Sequence, residues 1–398
     1  MAQVAAVICG NSRAVERALE SAREGCGISR DDALLLIEHG DLAELCAVAC
    51  TLREKFKGRA ISWSRKIFIP LTHLCRDYCG YCTFRADPSA DHRAYMTPDE
   101  VLDVAERGAR AGCREALFSL GDQPERIFPE ARDFLRRLGF SRTLEYLAAM
   151  AELVLEKTGL LPHSNPGVMP AEDMARLRKS NVSLGLMLES TSLRLRRKGA
   201  AHWRAPDKAP ALRLRTIEQA GRLKIPFTTG ILIGIGETMG ERVDALFAIR
   251  ALHRAYGHIQ EILVQPFRAK ESTRMAGATE PAIDDLQRTL AVARMIMPDM
   301  NIQSPPNLLR DDFPQLLRAG INDWGGISPL TRDFINPEAA WPRIRVLKEA
   351  TERSGLELRE RLAIYPEFAK RPEFLDPALA TRMQFHIGRD FYARVHDA

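Results

Sequence analysis

Cys75, Cys79 and Cys82 stand in the spacing Cys-x3-Cys-x2-Cys, and with three thiols inside eight residues this is where the chain most plainly offers chemistry. Thiolates are soft ligands that select zinc or iron–sulfur clusters. A structural zinc site closes with four ligands, which His73 or His92 would complete. An iron–sulfur cube normally takes four cysteines. Three would hold three irons and leave the fourth open to a small molecule.

The other cysteines carry a different reading. Cys46 and Cys50 also read Cys-x3-Cys, but Leu42, Leu45, Cys46, Ala49 and Leu52 recur at helical spacing, so these thiols are expected to pack in a core. The same expectation covers Cys9, Cys26 and Cys113. The first ten residues have no basic stretch ahead of their short apolar run, so no secretory signal is expected. A cytoplasmic enzyme with reduced thiols is therefore the expectation.

The elements that must position the cysteine loop follow from caps and periodicity. Ser29-Arg30-Asp31-Asp32 starts a helix that Gly40 stops, and a second helix runs from about Asp41 to Phe56. Ile67 to Thr72 reads as an apolar strand leading into the cysteine loop. Thr97-Pro98-Asp99-Glu100 is a capping box with proline at the first helical position. Further strands are expected at 115–120, 159–165, 182–188, 227–233 and 259–265, and weaker ones at 300–303 and 321–324. Helices fall between them. Such alternation implies βαβ units and a parallel sheet, here an α/β TIM-like barrel, complete or partial, with a helical N-terminal extension. The expected organisation is an extension over 1–60, a barrel over 61–352 and a helical or irregular tail over 353–398. Barrels of this kind gather their active sites at the C-terminal ends of the strands.

Composition narrows the function. With 57 Lys+Arg against 52 Asp+Glu the net charge is +5, and 45% of the 398 residues are hydrophobic. That is ordinary globular composition, with no charge concentration that would call for nucleic acid. No apolar run reaches the roughly 20 residues that span a bilayer.

The run Cys75-x3-Cys79-x-Tyr81-Cys82 after a first barrel strand resembles the radical S-adenosylmethionine (SAM) superfamily. The resemblance implies a 4Fe-4S cluster on the three cysteines, SAM chelating the open iron, and one-electron cleavage of SAM to a 5′-deoxyadenosyl radical. It implies adenine contact for Tyr81 and SAM amino-group binding at Gly121 and Asp122, where Gly-Asp replaces the commoner Gly-Gly-Glu. It further implies a polar contact from Asn165, an acidic SAM ligand in Glu189, and a carboxylate partner in Arg213, with Arg215 as competitor. Gly234 and Gly236 would lie beside adenine and ribose.

Five segments resemble the ring-closing subunit family of FO synthase more closely: 68–72, 79–85, 116–125, 228–238 and 322–329. Pro266 stands where asparagine is expected in relatives. The resemblance implies conversion of a ribityluracil–hydroxybenzyl adduct to 7,8-didemethyl-8-hydroxy-5-deazariboflavin, the chromophore of coenzyme factor 420, with loss of ammonia. A separate sister radical SAM subunit would supply the adduct, and a reductant protein, docking on the basic segment 194–198, the electron. His163, Asp323 and Arg268 are the candidates for proton transfer, and Trp324 for stacking on the substrate. The rival readings are the sister module, a menaquinone-pathway relative and a zinc-stabilised binding protein.

Overall fold

The computed structural model describes residues 2–89 and 93–394, the side chains of 2–11 excepted. Cys9 as a side chain and His92 lie outside the described residues. Helices α1 (Ala2–Glu24), α2 (Arg30–His39) and α3 (Leu42–Lys57) precede the sheet. Their limits are local: the Ser29 hydroxyl accepts from Asp32 N, the Asp41 carboxylate accepts from Glu44 N, and Gly58 at φ 68° ends α3.

The chain then alternates: β1 (Ala60–Thr72), α4 (Pro98–Arg110), β2 (Glu115–Leu120), α5 (Pro129–Arg137), α6 (Thr143–Thr158), β3 (Leu161–Asn165), α7 (Ala171–Leu177) and β4 (Ser183–Gly185). It continues through α8 (Pro210–Arg222), β5 (Phe227–Ile233), α9 (Met239–Tyr256), β6 (Ile259–Pro266), α10 (Ile283–Ile296), β7 (Ile302–Gln303) and β8 (Asp323–Ile327). α11 (Ile344–Arg353), β9 (Glu357–Arg361), α12 (Pro366–Ala369) and α13 (Pro377–Met383) complete it. Strands β1 to β8 pair in order and in parallel, and the β1–β2 pairing closes them into an eight-stranded barrel. The barrel is complete. No helix among the described residues is long and apolar enough to cross a membrane.

Three features depart from expectation. β1 begins at Ala60 rather than Ile67, because Ser62 and Ser64 face the barrel lumen and bond there to the carboxylates of Asp323 and Glu115. Polar residues thus sit in a strand that hydrophobicity alone would not extend. The helix that the sequence leads one to expect near Leu308 to Ala319 is instead a series of 3-10 turns over Pro306–Ala319, broken at Arg310 (φ 49°). Residues beyond 353 do not form only helices and irregular chain: β9 pairs in parallel with Ala60–Ser64 of β1.

β9 and the turn after it plug the barrel's N-terminal end. Arg361 Nε lies 2.6 Å from Asp323 Oδ2 and its Nη2 3.3 Å from Glu261 Oε2. The Tyr365 hydroxyl donates to the same Glu261 oxygen at 2.6 Å. All four side chains are buried. Charges taken out of water this fully survive only as a hydrogen-bonded set.

Candidate active site at the C-terminal end of the barrel

The cysteine loop leaves β1 through a short turn in which Thr72 Oγ1 donates to Ala94 O and accepts from Leu74 N. Its backbone is clamped by the segment between β4 and α8. Tyr78 N donates to Arg204 O at 3.0 Å, and Gly80 N to Ala201 O at 2.7 Å. The Arg76 guanidinium grips Asp207 with two donors. Gly121, after β2, packs so tightly on this loop that a Cβ there would lie 2.0 Å from Leu74 O. Only glycine fits that approach.

The result is a cavity of about 330 Å³ lined by all three loop cysteines. Tyr81, Gly121, Asp122, Asn165, Glu189, Arg213 and Arg268 also line it, so most of the residues singled out by resemblance converge there. Cys75 Sγ accepts from Asp122 N at 3.2 Å and from Asp77 N at 3.4 Å. Burial, reinforced by Asp77, pushes the Cys75 thiol up to about 12, and burial pushes Cys79 up as well. Three sulfurs from one short, clamped loop facing a single cavity are a soft donor set that fits a metal cluster.

Around the cysteines lies a ring of charges. Glu189 sits beyond β4 in the left-handed region at φ 66° and forms an ion pair with Lys208, Oε1 to Nζ 2.6 Å. Burial and Arg213 pull Lys208 down, but Glu189 and Cys79 outweigh them and hold it above its ordinary value. Arg213 reaches inward from α8, donating to Met187 O at 2.6 Å and Asp207 O at 3.1 Å, while Arg215 faces solvent. Asp122 is buried with Oδ2 accepting from Val168 N at 3.1 Å, and its Oδ1 has no partner. Burial, with Asp207 and Asp77 nearby, pushes this carboxyl up to about 8. An unpartnered buried oxygen facing a cavity marks a place for a cationic or N–H-bearing ligand group.

Other expected residues lie elsewhere. Gly234 and Gly236 form the turn after β5 and do not line the cavity; Glu237 braces that turn by accepting from Gly234 N and Ile235 N. His163 faces the lumen one layer deeper, its Nδ1 2.5 Å from Ser183 Oγ, and burial brings it down to about 4. Arg268 lines the cavity but is ion-paired with Glu280 at 2.8 Å. Asp323 opens β8 at the opposite end of the barrel, committed to Arg361, and so cannot serve the cysteine end. Trp324 does not offer its ring to a substrate: its Nε1 donates to Thr351 Oγ1 of α11 at 3.1 Å and its ring meets Phe313 edge-on, outside the barrel wall. His73 does not line the cavity; its Nδ1 is 2.9 Å from Phe84 O.

Lys208, Asp207 and Arg76 were not foreseen. Nothing in Ala205-Pro206-Asp207-Lys208 distinguishes it from an ordinary loop, and only Arg76, inside the cysteine run, had a positional signal. Cys46 and Cys50 lie on α3, where the Cys50 thiol donates to Arg318 O at 3.2 Å, and Cys113 is in the core. Cys26, expected in the core, is exposed at the end of the turn after α1. Cys46→Ala and Cys50→Ala are expected to keep the full iron content and visible absorption of reconstituted protein. Loss of half the iron in either would assign those thiols to a metal.

Residues 69–249 match the radical SAM superfamily. In fold, the chain is similar to the crystal structure of methylornithine synthase (TM-score 0.68, 18% identity, 86% of this chain and 97% of that one). It is also similar to the FeFe-hydrogenase maturase of Carboxydothermus hydrogenoformans (TM-score 0.71, 18% identity, 95% and 90%). This barrel with its cysteine loop is that of a radical SAM enzyme, whose cofactors are a 4Fe-4S cluster and SAM. The 7,8-didemethyl-8-hydroxy-5-deazariboflavin synthase of Methanopyrus kandleri is 49% identical over 311 residues, 78% of this chain and 93% of that protein. The FO synthase of Mycobacterium tuberculosis is 49% identical over 397 residues, 95% of this chain and 46% of that protein. That of Streptomyces avermitilis is 49% identical over 382 residues, 92% and 44%. The chain thus spans under half the length of these two curated relatives. It belongs to the FO synthase family of radical SAM enzymes.

Proposed function

We propose that this chain is the ring-closing enzyme of deazaflavin synthesis, a carbon–nitrogen lyase. Its substrate would be 5-amino-5-(4-hydroxybenzyl)-6-(D-ribitylimino)uracil and its product 7,8-didemethyl-8-hydroxy-5-deazariboflavin (FO), with loss of ammonia. The observation that carries this reading is the 49% identity extending over 93% of the Methanopyrus kandleri synthase. The adduct would come from a sister radical SAM module, and the electron from a reductant protein. Arg196, Arg197 and Lys198 present an exposed basic face to such a donor, on the segment that clamps the cysteine loop.

Cys75, Cys79 and Cys82 would hold three irons of the cluster, and the loop would leave the fourth to SAM. When bound there, the cluster and SAM would supply radical chemistry for abstracting hydrogen from the adduct. Asp122 Oδ1 offers an acceptor to the SAM ammonium, and Arg213 a guanidinium to its carboxylate. Tyr81, its hydroxyl 3.2 Å from His202 Nε2, is held as a flat wall for adenine. Glu189 is aimed into the cavity by its ion pair with Lys208. His163 lines the lumen beneath the cavity with Nδ1 2.5 Å from Ser183 Oγ and Nε2 3.1 Å from Asn165 Oδ1; burial makes it a weak base, so it would relay a proton through these hydrogen bonds rather than hold one.

Lys208→Met is expected to weaken SAM binding about tenfold, a loss of about 1.4 kcal/mol, in equilibrium dialysis with cluster-loaded protein. Unchanged binding would separate the Glu189–Lys208 pair from the SAM site. The function itself is tested by incubating anaerobically reconstituted, reduced protein with SAM and the adduct. The fluorescent deazaflavin is expected; cleavage of SAM without a fluorophore would reject the ring-closing role.

A further inference from the structure

Beneath the cysteine cavity the lumen continues into a second chamber of about 150 Å³, the two sharing Phe68, Leu117, Asn165, Leu263 and Gln265 as walls. Its far side is built by an irregularity in β8. The pairing with β1 steps from Ser62↔Asp323 to Ser64↔Gly326, a bulge centred on Gly325 at φ 76°. The bulge turns two successive glycines toward the lumen, and each makes room for a polar side chain. A Cβ on Gly325 would stand 1.9 Å from Gln303 Nε2, and one on Gly326 would stand 1.2 Å from Lys66 Cε. The glycine pair is therefore a clearance for Lys66 and Gln303 within the barrel, and its role has nothing to do with the indole of Trp324.

What Lys66 and Gln303 offer there is unspent hydrogen bonding. Lys66 Nζ is ion-paired with Glu115 Oε1 at 3.0 Å, and an ammonium carries three N–H donors. Among the described residues the Gln303 side-chain amide has no hydrogen-bond partner, and it supplies one carbonyl acceptor and two N–H donors. Phe68, backed by Trp341 stacked at 5.4 Å and 16°, gives the chamber one flat aromatic wall. A donor–acceptor amide beside a cationic donor, next to an aromatic face, complements a planar ring with an edge of carbonyl, N–H, carbonyl. That is the imide edge of a pyrimidinedione. A bare phenol or a sugar chain presents no such edge.

We propose that Lys66 and Gln303, given room by Gly326 and Gly325, form the subsite that recognises the imide edge of the pyrimidinedione ring in this enzyme's substrate. The inference rests on the ring-closing reading and adds which end of the adduct lies deepest in the barrel. The phenol end and the carbon that loses hydrogen are then turned upward, toward the cysteine cavity.

The test is equilibrium binding of two fluorescent probes to anaerobic cluster-loaded protein, read by anisotropy. One is FO; the other is FO methylated at the imide nitrogen, which removes the N–H and blocks that edge. The wild-type chain is expected to prefer FO by about tenfold or more, since a site built on hydrogen bonds rejects a ligand lacking them. Lys66→Met and Gln303→Leu are each expected to bring the preference below about threefold. Gly326→Ala is expected to match Lys66→Met, because its methyl takes the space of Lys66 Cε; should it not fold, the other two variants decide. A preference surviving in either of those variants, or absent from the wild type, overturns the subsite. Wild-type protein that cleaves SAM yet binds neither probe overturns the ring-closing reading as well, which distinguishes the two failures.

Discussion

Cys79→Ala is expected to abolish reductive cleavage of SAM, with formation of 5′-deoxyadenosine falling by more than about 100-fold. Loss of a group that merely supports a metal ligand already costs about 10- to 100-fold, and loss of a direct ligand from a cluster held by only three thiolates should cost more. Cys79 lies between the other two cysteines in a loop clamped at Tyr78 and Gly80 by backbone bonds to Arg204 and Ala201, so neighbouring thiols cannot swing in to replace it. The measurement is iron content and 5′-deoxyadenosine yield after anaerobic reconstitution and reduction. Near-normal yield in this variant would remove the cluster from the three-cysteine loop, and the proposed function with it.

Arg361→Met should be the most damaging substitution outside that loop, destabilising the fold by about 3–5 kcal/mol. The side chain is 3% exposed and bonds both oxygens of Asp323, which is fully buried, as well as Glu261. Removing the guanidinium leaves a buried carboxylate uncompensated beneath the barrel. Urea unfolding followed by circular dichroism reads the loss, with Arg345→Ala, an exposed pair with Glu349, as a control expected within about 0.5 kcal/mol of wild type. The same experiment decides the role of Asp323. Asp323→Asn should lower the urea midpoint; a variant of normal stability that cannot close the ring would return Asp323 to the chemistry.

Asp323 and Trp324 show where the sequence misleads. Asn322-Asp323-Trp324-Gly325-Gly326 reads as a substrate motif because a tryptophan beside acidic and glycine residues suggests a ligand. In the fold Asn322 accepts from Arg294 and Ile302 N, Asp323 holds the plug, and Trp324 packs outward. Strand alternation cannot say which face of β8 looks into the lumen, and the bulge at Gly325 changes the answer halfway along. The departure of β1 has the same origin: Ser62 and Ser64 look like loop until the carboxylates they meet are placed.

The cysteine spacing, the Thr97–Glu100 capping box and the order of strands and helices were all legible along the chain. Each depends on residues a few positions apart, whose relative placement the local backbone dictates. The Lys208–Glu189 pair, the Arg361–Asp323 plug and the room made for Lys66 by Gly326 depend instead on barrel closure, which brings together side chains from distant strands. Shear, strand facing and one bulge set those meetings, and no periodicity in the sequence records them.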